Sequence, residues 1–232
     1  MEPFRRVGVY NGAHMHVNAY KVIAIVCLVI WLAACGNSLP GGSAGLGPSI
    51  EKPALSDVAD PSIRKVLESA REQVKLTRGY SQGYVQIAYP GGDLPIETGA
   101  CTDVVIRSFR NAGVDLQKEV HEDMLSNFAA YPQKWGLPGP DTNIDHRRVP
   151  NLQTFFTRKG KSLPVTSSAS DYMPGDVVSW DLDGKGMTHI GLVSNVWSEG
   201  TKRYLVIHNI GGGANLEDRL FSWKITGHFR YF

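Results

Sequence analysis

The sequence predicts an α+β domain, with helices first and a run of antiparallel strands afterwards. Three observations carry this. Between residues 60 and 128, apolar residues recur at helical spacing. After residue 174 the pattern changes to short alternating runs rich in Val, Ile and aromatic residues. A stretch rich in Gly, Ser and Pro separates all of this from an apolar run near the N-terminus.

The apolar run comes first in the chain. Lys21 precedes an unbroken series from Val22 to Ala34. That is the length of a signal-peptide core and too short for a comfortable membrane span. It ends Leu32-Ala33-Ala34-Cys35, followed by Gly36-Asn37-Ser38. This resembles a bacterial lipobox, in which cleavage precedes the cysteine and the thiol carries a diacylglycerol. Residues 1–34 then read as a lipoprotein signal peptide, starting at Met1 or at Met15, and Cys35 as the lipidated residue that ties the chain to a membrane. Gly36, rather than Asp, is the pattern that implies the periplasmic face of the outer membrane. Residues 35–55 read as a flexible tether and residues 56–232 as a single domain.

Within the domain, Asp60-Pro61 is a helix start, with Asp as N-cap and Pro at the first position. Ile63, Val66, Leu67, Ala70 and Val74 follow at helical spacing, and Gly79 ends the element. Tyr80 to Tyr89 is a turn-rich extended piece. A second helix runs from about Gly99 to Ala112, with Gly113 as C-cap. Leu116, Val120, Met124 and Phe128 mark a third, and Pro150 to Lys159 a fourth. Strands follow at Gly175–Trp180, His189–Ser194 and Tyr204–Asn209, with one or two more between Asp218 and Phe232.

Charge excludes one class of partner. The chain carries a net charge of +2, and removing the signal leaves equal numbers of basic and acidic side chains. With no Lys/Arg stripe, nucleic acid is not an expected partner. Cysteine usage narrows the chemistry further. Cys27 leaves with the signal and Cys35 is lipidated, so Cys101 is the one remaining thiol and no disulfide is possible within a mature chain. Cys101 sits in the first turn of the second helix. Unpaired N–H groups and a partial positive charge there favour a thiolate, which predicts an acidified nucleophile.

A nucleophile of this kind needs a base, and the base an orienting partner. His189, opening a strand after the turn Asp183-Gly184-Lys185-Gly186, is the candidate base. If it lies opposite His208 in a hairpin, Gly191 faces Val206, Val193 faces Tyr204, and the loop covers Asn195 to Lys202. The two imidazoles then share a face. A one-residue slip would put Asn209 there instead. His208 is favoured, because its register also gathers Val193, Tyr204 and Val206 on one side.

These residues together carry a family resemblance. Tyr89-Pro90-Gly91-Gly92, Cys101 at a helix start, Pro174-Gly175-Asp176-Val177-Val178, His189-Ile190-Gly191-Leu192-Val193 and Val206-Ile207-His208 follow one another as in NlpC-type cysteine peptidases. That papain-fold group cuts bacterial peptidoglycan stem peptides. The resemblance implies a papain-like fold with the nucleophile helix packed on the antiparallel sheet. It implies a Cys101–His189–His208 site, with Tyr89 near the nucleophile and helping the backbone N–H of Cys101 hold an oxyanion. It calls for no metal or organic cofactor. GACTDVVIRSFR, NIDHRRVPNL and VIHNIGGG resemble more closely a bacterial family of undefined function within the same superfamily. Ala100 and Thr102-Asp103 depart from the NlpC pattern, and an inward Asp103 would oppose a thiolate. Two rival readings keep the fold: a lipid acyltransferase, and a non-catalytic wall-binding lipoprotein.

Other motifs weigh less. His146-Arg147-Arg148 reads either as a solvated loop cluster or as a docking point for stem-peptide carboxylates, with Arg147 and Arg148 equally placed. His121-Glu122-Asp123 fails as a zinc motif, because Leu125 stands where the second histidine belongs. Gly211-Gly212-Gly213 reads as a tight turn beside the site, His228 as structural, and Trp135, Trp180 and Trp223 as core or cleft wall.

Overall fold

The computed structural model describes residues 55–232. The expected signal peptide, Cys35 and all but the last residue of the expected tether lie outside the described residues. Among the described residues, no helix is long and apolar enough to cross a membrane.

Helix α1 spans Pro61–Leu76. Its start is set by Asp60, whose carboxylate accepts from the N–H groups of Ser62 and Ile63 at 2.7 and 3.1 Å. Val66, Leu67 and Ala70 form its buried stripe, while Ile63 and Val74 are only partly covered. Two short parallel strands, β1 (Gly79–Tyr80) and β2 (Thr98–Gly99), then bracket a long loop. Helix α2 (Cys101–Asn111) follows at once and is buried along almost its whole length. Gly113, at φ +89°, makes the left-handed exit that only glycine adopts cheaply. Helix α3 (Leu116–Asn127) is capped by Asp115, and α4 (Val149–Arg158) carries Pro150 in its first turn.

The remaining strands are β3 (Ser162–Leu163), β4 (Val177–Asp181), β5 (Thr188–Ser198), β6 (Arg203–Asn209), β7 (Ala214–Glu217) and β8 (Lys224–Phe229). They form one antiparallel sheet in the order β3-β8-β4-β5-β6-β7. The fold is therefore α+β, with the cysteine-bearing helix packed on a C-terminal antiparallel sheet, as the sequence predicted. One expectation is displaced: β7 begins earlier than Asp218, directly after the Gly211–Gly213 turn. The carbonyl of Thr77, at the end of α1, draws it there by accepting from Ala214 N–H at 2.9 Å.

Alternation sorts the central strands onto two faces. Val177, Ile190, Leu192 and Ile207 turn toward the helices and share a core with Cys101, Val105 and Phe109. Val178, Trp180, Val193 and Val206 turn the other way and form a smaller core with Tyr172 and Leu220.

The β5–β6 register differs from the expected one. Leu192 pairs with Ile207 and Val193 with Val206, so the register continues to Gly191 against His208. Strand β5 also runs on to Ser198, with an irregularity after Val193, so the connecting loop is shorter than Asn195 to Lys202. The displacement is two residues, which preserves face. His189 and His208 remain on one side as diagonal neighbours.

Candidate active site

Cys101 is the first residue of α2, and the chain before it is held by side chains from three directions. Asn209 donates to the carbonyls of Gly79 and Gly99 at 3.1 and 2.9 Å, fastening β1 and β2 to the end of β6. Arg107, one turn beyond Asp103, pairs with Asp93 through Nε at 2.9 Å and donates to the carbonyls of Leu94, Pro95 and Thr98. Arg147 makes a two-pronged pair with Asp103, Nε to Oδ1 at 2.9 Å and Nη2 to Oδ2 at 3.0 Å, and also donates to the carbonyls of Ser81 and Gly83. Asp103 further accepts from Ala100 N–H at 2.6 Å. This is one half of a capping box; the other half, a side-chain acceptor for the Asp103 N–H, is missing because residue 100 is alanine.

This arrangement corrects the reading of the basic cluster. Residues 145–147 form a buried helical turn rather than a solvated knot. Burial and the neighbouring Arg147 push the His146 imidazole down to about 3. Arg147 and Arg148 are not equivalent. Arg147 is used up inside the fold. Arg148 lies over the Trp135 ring at 4.0 Å and pairs with Asp145 at 3.1 Å through Nη1; both arginines line the cleft that Cys101 also lines.

That cleft has a volume of about 480 Å³ and is open to solvent. Its walls include Tyr80, Tyr84, Lys134, Trp135, Arg148 and Thr188. Tyr89 is not among them, which corrects its expected place. Gly91 N–H donates to Asp115 and Gly92 N–H to Gln117, both at 2.8 Å. These bonds tie the Tyr89-Pro90-Gly91-Gly92 segment to the start of α3, and the Tyr89 ring packs edge-on against His121 at 5.1 Å. Tyr80 stands in the cleft instead. Burial and the nearby Cys101 raise its phenol to about 12, so it stays a hydrogen-bond donor.

The two imidazoles lie behind β5. His189 pairs across the sheet with Trp180, and its Nε2 is 2.8 Å from Nδ1 of His208. Trp180 and Trp223 pack against both rings at centroid distances of 5.7 to 6.4 Å. Both tryptophans are walls, as expected. Nε2 of His208 is 3.0 Å from a carboxylate oxygen of Glu217, though off the line of a straight hydrogen bond. Asn209 points elsewhere, so of the two alternatives it is His208 that meets His189.

Two features of the site differ from expectation. Burial raises the Cys101 thiol to about 11 rather than lowering it; the N–H groups of Ile190, Thr102 and Cys101 pull the other way, and Asp103 adds to the rise. Desolvation outweighs the helix terminus here. Burial, with a contribution from His208, likewise lowers His189 to about 3. The resting site therefore holds a neutral thiol and a neutral imidazole rather than an ion pair. The sulfur meets β5 at the N–H of Ile190, and among the described residues no hydrogen bond joins it to His189. No cluster of His, Cys, Asp and Glu suited to a metal ion is present among the described residues. His228 is structural, bonded to Asp176 at 2.8 Å and stacked on Tyr172.

Sequence reasoning missed Tyr80, Glu217 and the Asp103–Arg147 pair. The last had a signal: Asp103 and Arg107 are charged residues on an otherwise apolar helix face, and buried charges need partners.

Known proteins place the chain. A solved structure, NlpC1 from Trichomonas vaginalis, aligns with 75% of this chain at 14% identity and a TM-score of 0.41; the chain spans 45% of that protein. An uncharacterized protein from Escherichia coli (strain K12), YijF, is 57% identical over 168 residues, which cover 72% of this chain and 80% of YijF. Residues 67–231 match the family described as a domain of unknown function, DUF1287. The chain belongs to the DUF1287 family.

Proposed function

We propose that this protein is a thiol hydrolase of amide bonds in cell-wall peptide, held at the bacterial envelope by a lipid on Cys35. The observation that carries this is the placement of Cys101. The thiol opens a buried helix and lines an open cleft, and the neighbouring strand β5 carries, next to the Ile190 whose N–H the sulfur meets, a histidine whose ring is hydrogen-bonded to a second imidazole.

Both groups are neutral at rest, so proton transfer accompanies attack. Nδ1 of His189 takes the Cys101 proton as sulfur adds to the amide carbonyl. The imidazolium then gives that proton to the leaving amine, and His189 removes a proton from the water that releases the acyl group from sulfur. At rest the sulfur meets Ile190 N–H while His189 packs on Trp180, so this reading requires the His189 ring to reach Cys101 when substrate binds. The backbone N–H of Cys101 and the Tyr80 hydroxyl stabilise the oxyanion. Arg148 and Lys134 on the cleft wall suit an acidic peptide, with Arg148 taking a substrate carboxylate.

The open, partly polar cleft favours peptide over an acyl chain as substrate. A non-catalytic wall-binding role draws support from one observation, the raised Cys101 thiol. The test is release of new amino groups from purified peptidoglycan by the full-length chain. Loss of release in Cys101→Ser and in His189→Ala is expected. Full release by Cys101→Ser would end the proposal, and no release by the unsubstituted chain would leave the binding role.

A further inference from the structure

We infer that Glu217 is a positioning residue that sets the tautomer of both site histidines and leaves Nδ1 of His189 as the bare nitrogen. The inference rests on the hydrolase reading only for its catalytic consequence.

The chain of contacts is short. Glu217 is the last residue of the edge strand β7 and pairs with Val206, so it shares a face with His208 one step away. Its carboxylate lies 3.0 Å from Nε2 of His208. That nitrogen is buried and makes no straight hydrogen bond among the described residues, so this off-line carboxylate contact is the one polar contact it has there. A carboxylate can only accept, so the proton of neutral His208 belongs on Nε2. Nδ1 of His208 is then a bare acceptor. It is 2.8 Å from Nε2 of His189, which must donate. Neutral His189 has one ring proton, and it is spent on this bond. The opposite arrangement would turn a lone pair of the fully buried His208 ring toward the carboxylate, which is repulsive.

The surroundings leave no competing acceptor. Trp180 and Trp223 cover the rings with apolar faces. Arg219, whose charge also acts on His208, is a cation and cannot accept. His189 Nδ1 has no hydrogen-bond partner among the described residues, so nothing inside the fold competes for it. A base held in the wrong tautomer is costly: in the serine-protease triad, the comparable change lowers kcat by about 10⁴-fold.

The test is nitrogen NMR of the histidine rings in the full-length chain at neutral pH, beside turnover of peptidoglycan. Bare Nδ1 and protonated Nε2 on both His189 and His208 are expected. Glu217→Leu should move protonation toward Nδ1 of His189 and lower kcat with KM unchanged. Glu217→Gln should keep the native tautomers, because its carbonyl oxygen still accepts. A protonated Nδ1 on His189 in the unsubstituted chain, or tautomers unchanged in Glu217→Leu, would overturn the inference. The expected tautomers in a chain that cleaves nothing would uphold the hydrogen-bond relay and remove the hydrolase.

Discussion

Replacing Asp103 by Asn tests how the nucleophile is held. The carboxylate and the Arg147 guanidinium are almost sealed, with side-chain exposures of 4% and 2%. Asp103 accepts three bonds: two from Arg147 and one from Ala100 N–H. An amide offers one oxygen to these donors and turns its own NH₂ toward one of them. The guanidinium charge is left without its counter-charge. Removing one partner of a buried pair costs about 3–5 kcal/mol. For a domain of this size each kcal/mol shifts Tm by about 2–4 °C, so a fall of about 6–20 °C is expected. Arg147→Met leaves the converse defect, a lone buried carboxylate beside Cys101, and should cost a similar amount. The double variant removes both charges together, so its cost should be well below the sum of the two. Calorimetry on the three variants of the full-length chain measures this cycle. Single variants that each lower Tm by less than about 2 °C, or costs that simply add, would refute the idea that this pair fixes the α2 N-terminus. The same Asp103→Asn variant should lower the Cys101 thiol pKa, since the carboxylate contributes to its rise.

Three further outcomes follow from the same geometry. Iodoacetamide alkylation of Cys101 should accelerate only toward a pH near 11, above the free-thiol value of about 8.5; an inflection below 8.5 would show a resting ion pair instead. His189 and His146 bind their protons only near pH 3 in the folded chain and near 6.5 when unfolded, so the unfolded chain gains protons first as pH falls. Stability to urea should therefore decline from about pH 6.5 downward, less steeply in His146→Gln, and a flat profile between pH 7 and 5 would contradict the buried neutral imidazoles. Gly191→Ala would place a Cβ 2.8 Å from the Ile207 carbonyl and 2.9 Å from His208 Cβ, a clash worth about 1–3 kcal/mol, and an unchanged Tm would show that β5 and β6 can separate there without cost.

Much of the fold was legible because it rests on local signals. Asp60-Pro61, the four-residue steps from Leu116 to Met124 and the turn glycine Gly113 each act over one or two turns of chain. What escaped depends on contacts remote in sequence. Arg147 reads as surface until Asp103, 44 residues earlier, is known to sit beneath it. Tyr89 matches a family position, yet the α3 N-terminus captures its segment, and Tyr80 reaches the cleft because β1 pairs with the residues just before Cys101. The thiol was expected to be acidic because helix position is visible in sequence, whereas burial, which reverses the shift, is not.

The histidine pairing shows why a register error need not displace a site. The expected hairpin set His189 against His208, while the sheet sets Gly191 there, two residues along. Strand side chains repeat with period two, so that error leaves every residue on its predicted face. A one-residue error would have brought Asn209 to His189 and sent His208 into the helix-side core. The observed register also gives Gly191 a task that direct opposition would not. A side chain at 191 would occupy the space through which the His208 ring leans to reach His189. Diagonal pairing across a glycine lets two imidazoles meet edge to edge, with centroids 5.0 Å apart at 79°, and puts nitrogen against nitrogen at 2.8 Å. The motif His-Ile-Gly-Leu-Val is thus a single device. Its histidine supplies the ring, its glycine clears the path to the partner ring, and its alternate apolar residues hold the strand against the helix that carries Cys101.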